Sequence, residues 1–167
     1  SHDFLTGVYS RQYLEQAFSA KLEQWGAQGR KAAVALVALD KGPQLCDTYG
    51  QPVMDQLHCF VGNQWKKHYD TPLHQVVCRL TGSIFVVGSV DTTGPQLEAR
   101  MQELYEQMPH ECITATGMMH RVQFTMSGAA AGLDEVEAKN WPALYELCDA
   151  RLRKVQASGG DRIGCAE

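Results

Sequence analysis

The chain of 167 residues has no Cys-x-x-Cys pair, no long apolar run and no basic field, and each absence removes a class of function. Its six cysteines, Cys46, Cys59, Cys78, Cys112, Cys148 and Cys165, are scattered singly. A chain this long and this apolar folds without disulfides, so they read as free thiols of a reducing cytoplasm. His58 and Cys59 are adjacent in sequence, but neighbours on a helix diverge around its axis and do not share a metal. No apolar run reaches the ~20 residues of a membrane span. With 19 acidic against 15 basic residues the formal charge is -4, so no extended positive surface awaits a nucleic-acid backbone. The cluster Arg151-Leu152-Arg153-Lys154 reads as a solvated helix end near its negative pole. Internal repeats, low-complexity tracts and linkers are also missing. The expectation is one cytoplasmic domain over residues 1–167, touching neither membrane nor nucleic acid.

What is present is alternating helical and strand-like patterning. Leu14, Phe18, Leu22 and Trp25 make one apolar face of a helix over residues 10–25, ended by Gly26 and Gly29. Ala33 to Leu39 is an uninterrupted apolar run, the mark of a central buried strand. Lys41 to Gly50 holds Gly42, Pro43, Asp47 and Gly50 and reads as loop or short irregular helix. A second helix is expected over 52–68, with Val53, Leu57, Phe60, Val61 and Trp65 inward and Pro52 in its first turn. Gln75 to Leu80 and Ile84 to Gly88 flank Thr81-Gly82-Ser83 as an antiparallel hairpin. Leu97, Met101, Leu104 and Met108 mark a third helix stopped by Pro109, and Val122 to Ala131 another strand. Trp141 through Val155 gives the last helix, and Ile163 opens a short final strand. The order suits an α+β fold: a mostly antiparallel five-stranded sheet flanked by helices, related to the ferredoxin-like arrangement.

Four segments, in order along nearly the whole chain, resemble the GGDEF family of diguanylate cyclase domains. Asp3-Phe4-Leu5-Thr6-Gly7-Val8-Tyr9-Ser10-Arg11 is similar to the family's opening Asp-x-Leu-Thr-Gly-Leu-x-Asn-Arg. Asp47-Thr48-Tyr49-Gly50 with Asp55 resembles its Asn-Asp-x-x-Gly-His-x-x-Gly-Asp segment. Arg79 to Phe85 stands at the signature hairpin, and Cys148-Asp149 with Gly159 resembles the family's ending. The resemblance implies a nucleotide-cyclase-like palm in which two domains, each with one GTP, form cyclic di-GMP with divalent metal held by carboxylates.

Position by position, the resemblance puts Ala38 where the family has its first metal aspartate, and Asp40 at its next aspartate, two residues on. Gly42-Pro43 replaces a Phe-Lys that supports the phosphates, and Cys46 replaces an asparagine. The signature reads Thr81-Gly82-Ser83-Ile84-Phe85, so the second metal carboxylate falls on Ser83 or Ile84. Gln156 and Gly160 take the places of a phosphate-contacting Lys and Arg, and Pro72 and Gln75 those of the inhibitory product site. The positions left for nucleotide contact are Asp40, Asp47, Asp55 and Arg79. Structural tasks are also expected: local backbone bonds for Asp3 and Thr6, a positive φ at Gly7, a carboxylate partner such as Asp55 or Asp3 for Arg11, and a core place for Phe85.

The resulting expectation is a non-enzyme with no metal, catalytic residue or cofactor. It would be a degenerate regulatory domain of cyclic di-GMP signalling, similar to type IV pilus regulators of the FimX type. The start directly on the Asp3 motif suggests a domain excised from a longer multidomain protein. Its partners would be a neighbouring sensor or EAL-like domain and, through Phe60, Val61, Met118 and Met119, a second copy. The alternative is a module that binds GTP as an allosteric input without turnover.

Overall fold

The computed structural model describes residues 1–71 and 74–164, so Pro72 and Cys165 lie outside the described residues. The chain runs through helix α1 (residues 11–27), β1 (Ala32–Leu39), α2 (Gly42–Tyr49), α3 (Gln51–Lys66), β2 (Gln75–Thr81) and β3 (Ile84–Val90). It continues with α4 (Gly94–Gln107), β4 (Glu111–Ala115), β5 (Met119–Gln123), β6 (Met126–Gly132), α5 (Trp141–Ala157) and β7 (Arg162–Ile163). The main sheet has five strands in the order β2-β3-β1-β6-β7. Its pairs are antiparallel except β6 with β7.

β1 is buried along its whole length, which is why its apolar run shows no alternation. Its odd-numbered residues face a layer with α3 and α4; the even-numbered ones face α1 and α5. β6 reads Met-Ser-Gly-Ala-Ala-Ala-Gly and is buried throughout, and these small side chains let α4 and α5 close on its two faces. Ser10 starts α1 by accepting a hydrogen bond from the Tyr13 N–H, and a π segment, Leu14–Phe18, follows. Phe18 then seats on Gly88 of β3: a Cβ there would lie 2.4 Å from the ring.

Several elements differ from the sequence reading. Residues 42–49 form a regular helix, begun by Lys41 at φ 55° with Pro43 in the first turn. The strand expected over Val122 to Ala131 is two strands, broken at Phe124 and Thr125, where the Phe124 N–H turns to the His110 carbonyl and the Thr125 hydroxyl to Asp40. β5 pairs instead with β4 in a separate two-stranded sheet. The Gln56 side chain of α3 clamps that sheet, donating to the Ala115 carbonyl and accepting from its N–H. α4 begins three residues before Leu97 because Thr93 and Gln96 form a capping box.

Arg11 pairs with Glu15 at 2.8 Å, one turn along its own helix, not with Asp55 or Asp3. Phe85 is in the core as expected, and so is Val61. Phe60 packs edge-on against Phe124, while Met118 and Met119 are exposed at the β4–β5 turn. Among the described residues no helix is long and apolar enough to cross a membrane.

Candidate ligand cleft

The β2–β3 turn, Thr81-Gly82-Ser83, projects beside the start of α2 and the middle of α3. Gly82 supplies the positive φ, 44°, that closes it. Ala38 stands directly across from Ile84 in the β1–β3 register, and the Leu39 N–H donates to the Ser83 carbonyl. Ala38, where the resemblance expects the first metal carboxylate, is therefore side by side with Ile84, which with Ser83 is a candidate for the second, and none of the three carries a carboxylate.

Polar chemistry at the turn runs another way. The Ser83 Oγ lies 2.7 Å from His58 Nε2, and Arg79 Nη2 lies 3.1 Å from His58 Nδ1. Arg79 also donates through Nε to the Gly82 carbonyl at 3.1 Å and through Nη1 to Asp3 Oδ2 at 3.5 Å. Asp3 Oδ2 in turn accepts from the Thr6 N–H at 2.9 Å and its hydroxyl at 2.6 Å. Burial pulls Asp3 upward, but the Thr6 bonds and the Arg79 charge outweigh it and hold the carboxyl below its ordinary range. One chain of hydrogen bonds thus links the turn, α3, β2 and the N-terminal turn, whose Gly7 has φ 77°.

The direction of each bond follows from donor chemistry. Arginine only donates, so His58 Nδ1 must carry a lone pair. Burial first, and the Arg79 charge second, depress His58 to a pKa of about 4, so the ring is neutral at pH 7. Its single proton then sits on Nε2 and is donated to Ser83. A serine beside a histidine suggests a nucleophile and its base, but here the facing nitrogen has no lone pair to take the serine proton.

A cleft of about 460 Å³ opens between this turn, α2 and α3. Leu39, Pro43, Cys46 and Met54 form apolar walls, and Ser83 and Gln156 are among its polar groups. Of the four positions expected to contact nucleotide, Arg79 lines this cleft. Asp55 stands on α3 with Oδ1 accepting from the Gln51 amide at 2.8 Å. Asp47 is exposed on α2.

Asp40 borders a different cleft, of about 730 Å³, together with Lys41, His110, Thr125 and Asp161. Its carboxylate accepts from the hydroxyls of Thr125 and Ser127, both at 2.6 Å, and from the Asp161 N–H at 3.0 Å. It anchors the start of β6 to the turn after α5. Gly160 in that turn has φ 67°, and a Cβ there would lie 2.9 Å from both Asp40 carboxylate oxygens. An arginine here would take a strained left-handed backbone and have to displace the Asp40 carboxylate. Among the described residues, no group of three or more His, Cys, Asp or Glu side chains is placed to hold a metal ion.

Sequence reasoning missed His58 as a cleft residue. Its signal was positional: it lies four residues after Met54 and three before Val61, on the inner face of α3.

A five-stranded palm with a cleft at the β2–β3 turn is the architecture of nucleotide-cyclase-like domains. The chain belongs to the GGDEF family: the family model described as "Diguanylate cyclase, GGDEF domain" matches residues 1–162. This is a family of cyclic di-GMP signalling. Among solved structures, the FimX GGDEF domain from Pseudomonas aeruginosa is similar, at 20% identity over 96% of each chain with a TM-score of 0.80. Diguanylate cyclase SiaD in complex with its activator SiaC, from the same organism, is 20% identical over 99% of this chain and 61% of that one, with a TM-score of 0.79. A curated relative, uncharacterized protein y4lL of Sinorhizobium fredii (strain NBRC 101917 / NGR234), is 28% identical over 166 residues. The match takes in 97% of this chain but 19% of y4lL, so the chain spans about a fifth of that relative's length.

These findings correct one expectation. The substitutions at Ala38, Pro43, Ser83, Ile84 and Gln156 led to the reading that the chain is not an enzyme. The match over residues 1–162 places it in the diguanylate cyclase family, and a diguanylate cyclase is among its structural neighbours. Those residues are features of a cyclase-family cleft, not grounds for removing the chain from the enzyme class.

Proposed function

We propose that this GGDEF domain is a regulatory unit of cyclic di-GMP signalling that passes the state of its cleft to a neighbouring sensor or EAL-like domain. The observation that carries this is the hydrogen-bond chain Ser83–His58–Arg79–Asp3, which joins the cleft to the N-terminal turn. That turn exposes Phe4 completely, an apolar side chain suited to a contact with another domain. A nucleotide-sized ligand in the cleft is the input: it changes the order of the β2–β3 turn, and Arg79 transmits the change. A cytoplasmic setting of the FimX kind, in type IV pilus control, belongs to the same proposal.

Amide hydrogen exchange tests the transmission step. Ser83→Ala removes the acceptor for His58 and leaves the N-terminal turn untouched in sequence. Faster exchange at Thr6 and Gly7 in that variant is the expected result. Unchanged exchange there, with faster exchange confined to residues 81–84, refutes it.

A further inference from the structure

We infer that the cleft at the β2–β3 turn takes an uncharged heterocyclic compound, hydrogen-bonded by Ser83 and bound without a divalent cation; this rests on reading the cleft as a ligand site.

The first support is an inventory of charge. Among the described residues Arg79 is the one formally charged side chain lining the cleft. Its Nε, Nη1 and Nη2 each donate once, to Gly82, Asp3 and His58, and its charge is paired with the Asp3 carboxylate. His58 is neutral at pH 7, and among the described residues no carboxylate lines the cleft. Lys41, the nearest lysine in sequence to the cleft residues Leu39 and Gly42, borders the other cleft. A triphosphate entering here exchanges its hydration for apolar walls and meets a single guanidinium already paired with Asp3. A metal ion brought to shield it meets no carboxylate beside Ala38 and Ile84.

The second support is the direction of the Ser83 hydroxyl. Because His58 Nε2 donates to Ser83 Oγ, one oxygen lone pair is taken and the serine proton is free to point elsewhere. Ser83 borders the cleft, so that proton is a donor available to a ligand carbonyl or ring nitrogen. The Gln156 amide lines the same space and forms no side-chain hydrogen bond among the described residues, so it offers both a donor and an acceptor. Around them the Pro43 ring, the Met54 thioether and Leu39 supply apolar contact. A cleft of about 460 Å³ with apolar walls and a few convergent polar groups matches the size and lining of small-molecule sites.

Inosine and inosine triphosphate carry the same ring and differ in charge, so they separate the possibilities. Isothermal titration of the purified chain is run with inosine, and with inosine triphosphate, each in magnesium and in EDTA. The expected result is inosine binding that magnesium does not alter, with the triphosphate at least about tenfold weaker in both buffers. Ser83→Ala should weaken inosine by about fivefold or more, and Gln156→Ala, at an exposed helix end, by a few-fold. Tighter binding of the magnesium triphosphate overturns this inference and leaves the cleft a ligand site. Absence of binding by all titrants up to millimolar concentration overturns both. Equal inosine affinity in the wild type and both variants also overturns the assignment.

Discussion

Acidifying the protein should destabilise it through His58 in a way that a single substitution isolates. The ring titrates near 4 in the fold against 6.5 when free, because burial and the Arg79 charge both disfavour the imidazolium. A depressed histidine binds more protons in the unfolded chain throughout the interval between those values. Stability is therefore full above about pH 6.5, falls as the pH drops toward 4, and levels off below it. The gap between 6.5 and about 4 corresponds to about 3 kcal/mol, and solvent reaching the open cleft trims this to about 2 kcal/mol. Carboxylates such as Asp3, Asp91 and Glu135, held below their ordinary range, also lose stabilisation on acidification. They remain when His58 is replaced, so a difference measurement largely removes them. The assay is urea unfolding at half-unit pH steps for the wild type and His58→Leu. The variant should be less stable at pH 7, because Arg79 and Ser83 each lose a partner. Its loss between pH 7 and 4 should nonetheless be smaller than the wild type's by about 2 kcal/mol. Parallel pH profiles for the two proteins would refute the reasoning.

Three other perturbations test the frame around the cleft. Gly88→Ala places a Cβ against the Phe18 ring and should cost about 2–3 kcal/mol, a fall in Tm of roughly 4–12 °C, with recovery on adding Phe18→Leu. Tyr105→Phe strips the Asp161 carboxylate of a donor and the Met126 N–H of an acceptor; calorimetric unfolding should show a loss of about 2–3 kcal/mol. Gly160→Arg reinstates the residue type that the family resemblance expects, but at φ 67° and against Asp40. Thermal melting should show it destabilised by about 2 kcal/mol or more, with no gain in triphosphate affinity by calorimetry.

How far the fold was legible depended on how much of each element's burial is written in one period. β1 and the helices of both layers have long apolar runs or stripes, and they stand within a few residues of where the pattern puts them. β4 failed that test: its five residues alternate in burial, but they lie between Pro109 and the turn Thr116-Gly117-Met118, so no extended period announces them. α2 read as loop or short irregular helix because Gly42 and Pro43 are breakers inside a helix; at its first turn they are tolerated, and Lys41 supplies the left-handed entry.

The cleft was legible as a list of substitutions at Ala38, Pro43, Ser83 and Gln156. What replaced the lost groups was not, because it depends on side chains far apart in sequence. Ser83 finds His58 across 25 residues, and Asp40 finds Ser127 across 87. Only the folded sheet and α3 bring those pairs within hydrogen-bond reach.

The hydrogen-bond chain at the cleft requires a neutral His58 that accepts from Arg79 and donates to Ser83. Nitrogen-15 NMR of the imidazole ring at pH 7 observes that state directly. The prediction is a protonated Nε2 and a bare Nδ1, unchanged on lowering the pH to about 5. A proton on Nδ1, or a charged ring at pH 7, would contradict the hydrogen-bond chain and the ligand chemistry built on it.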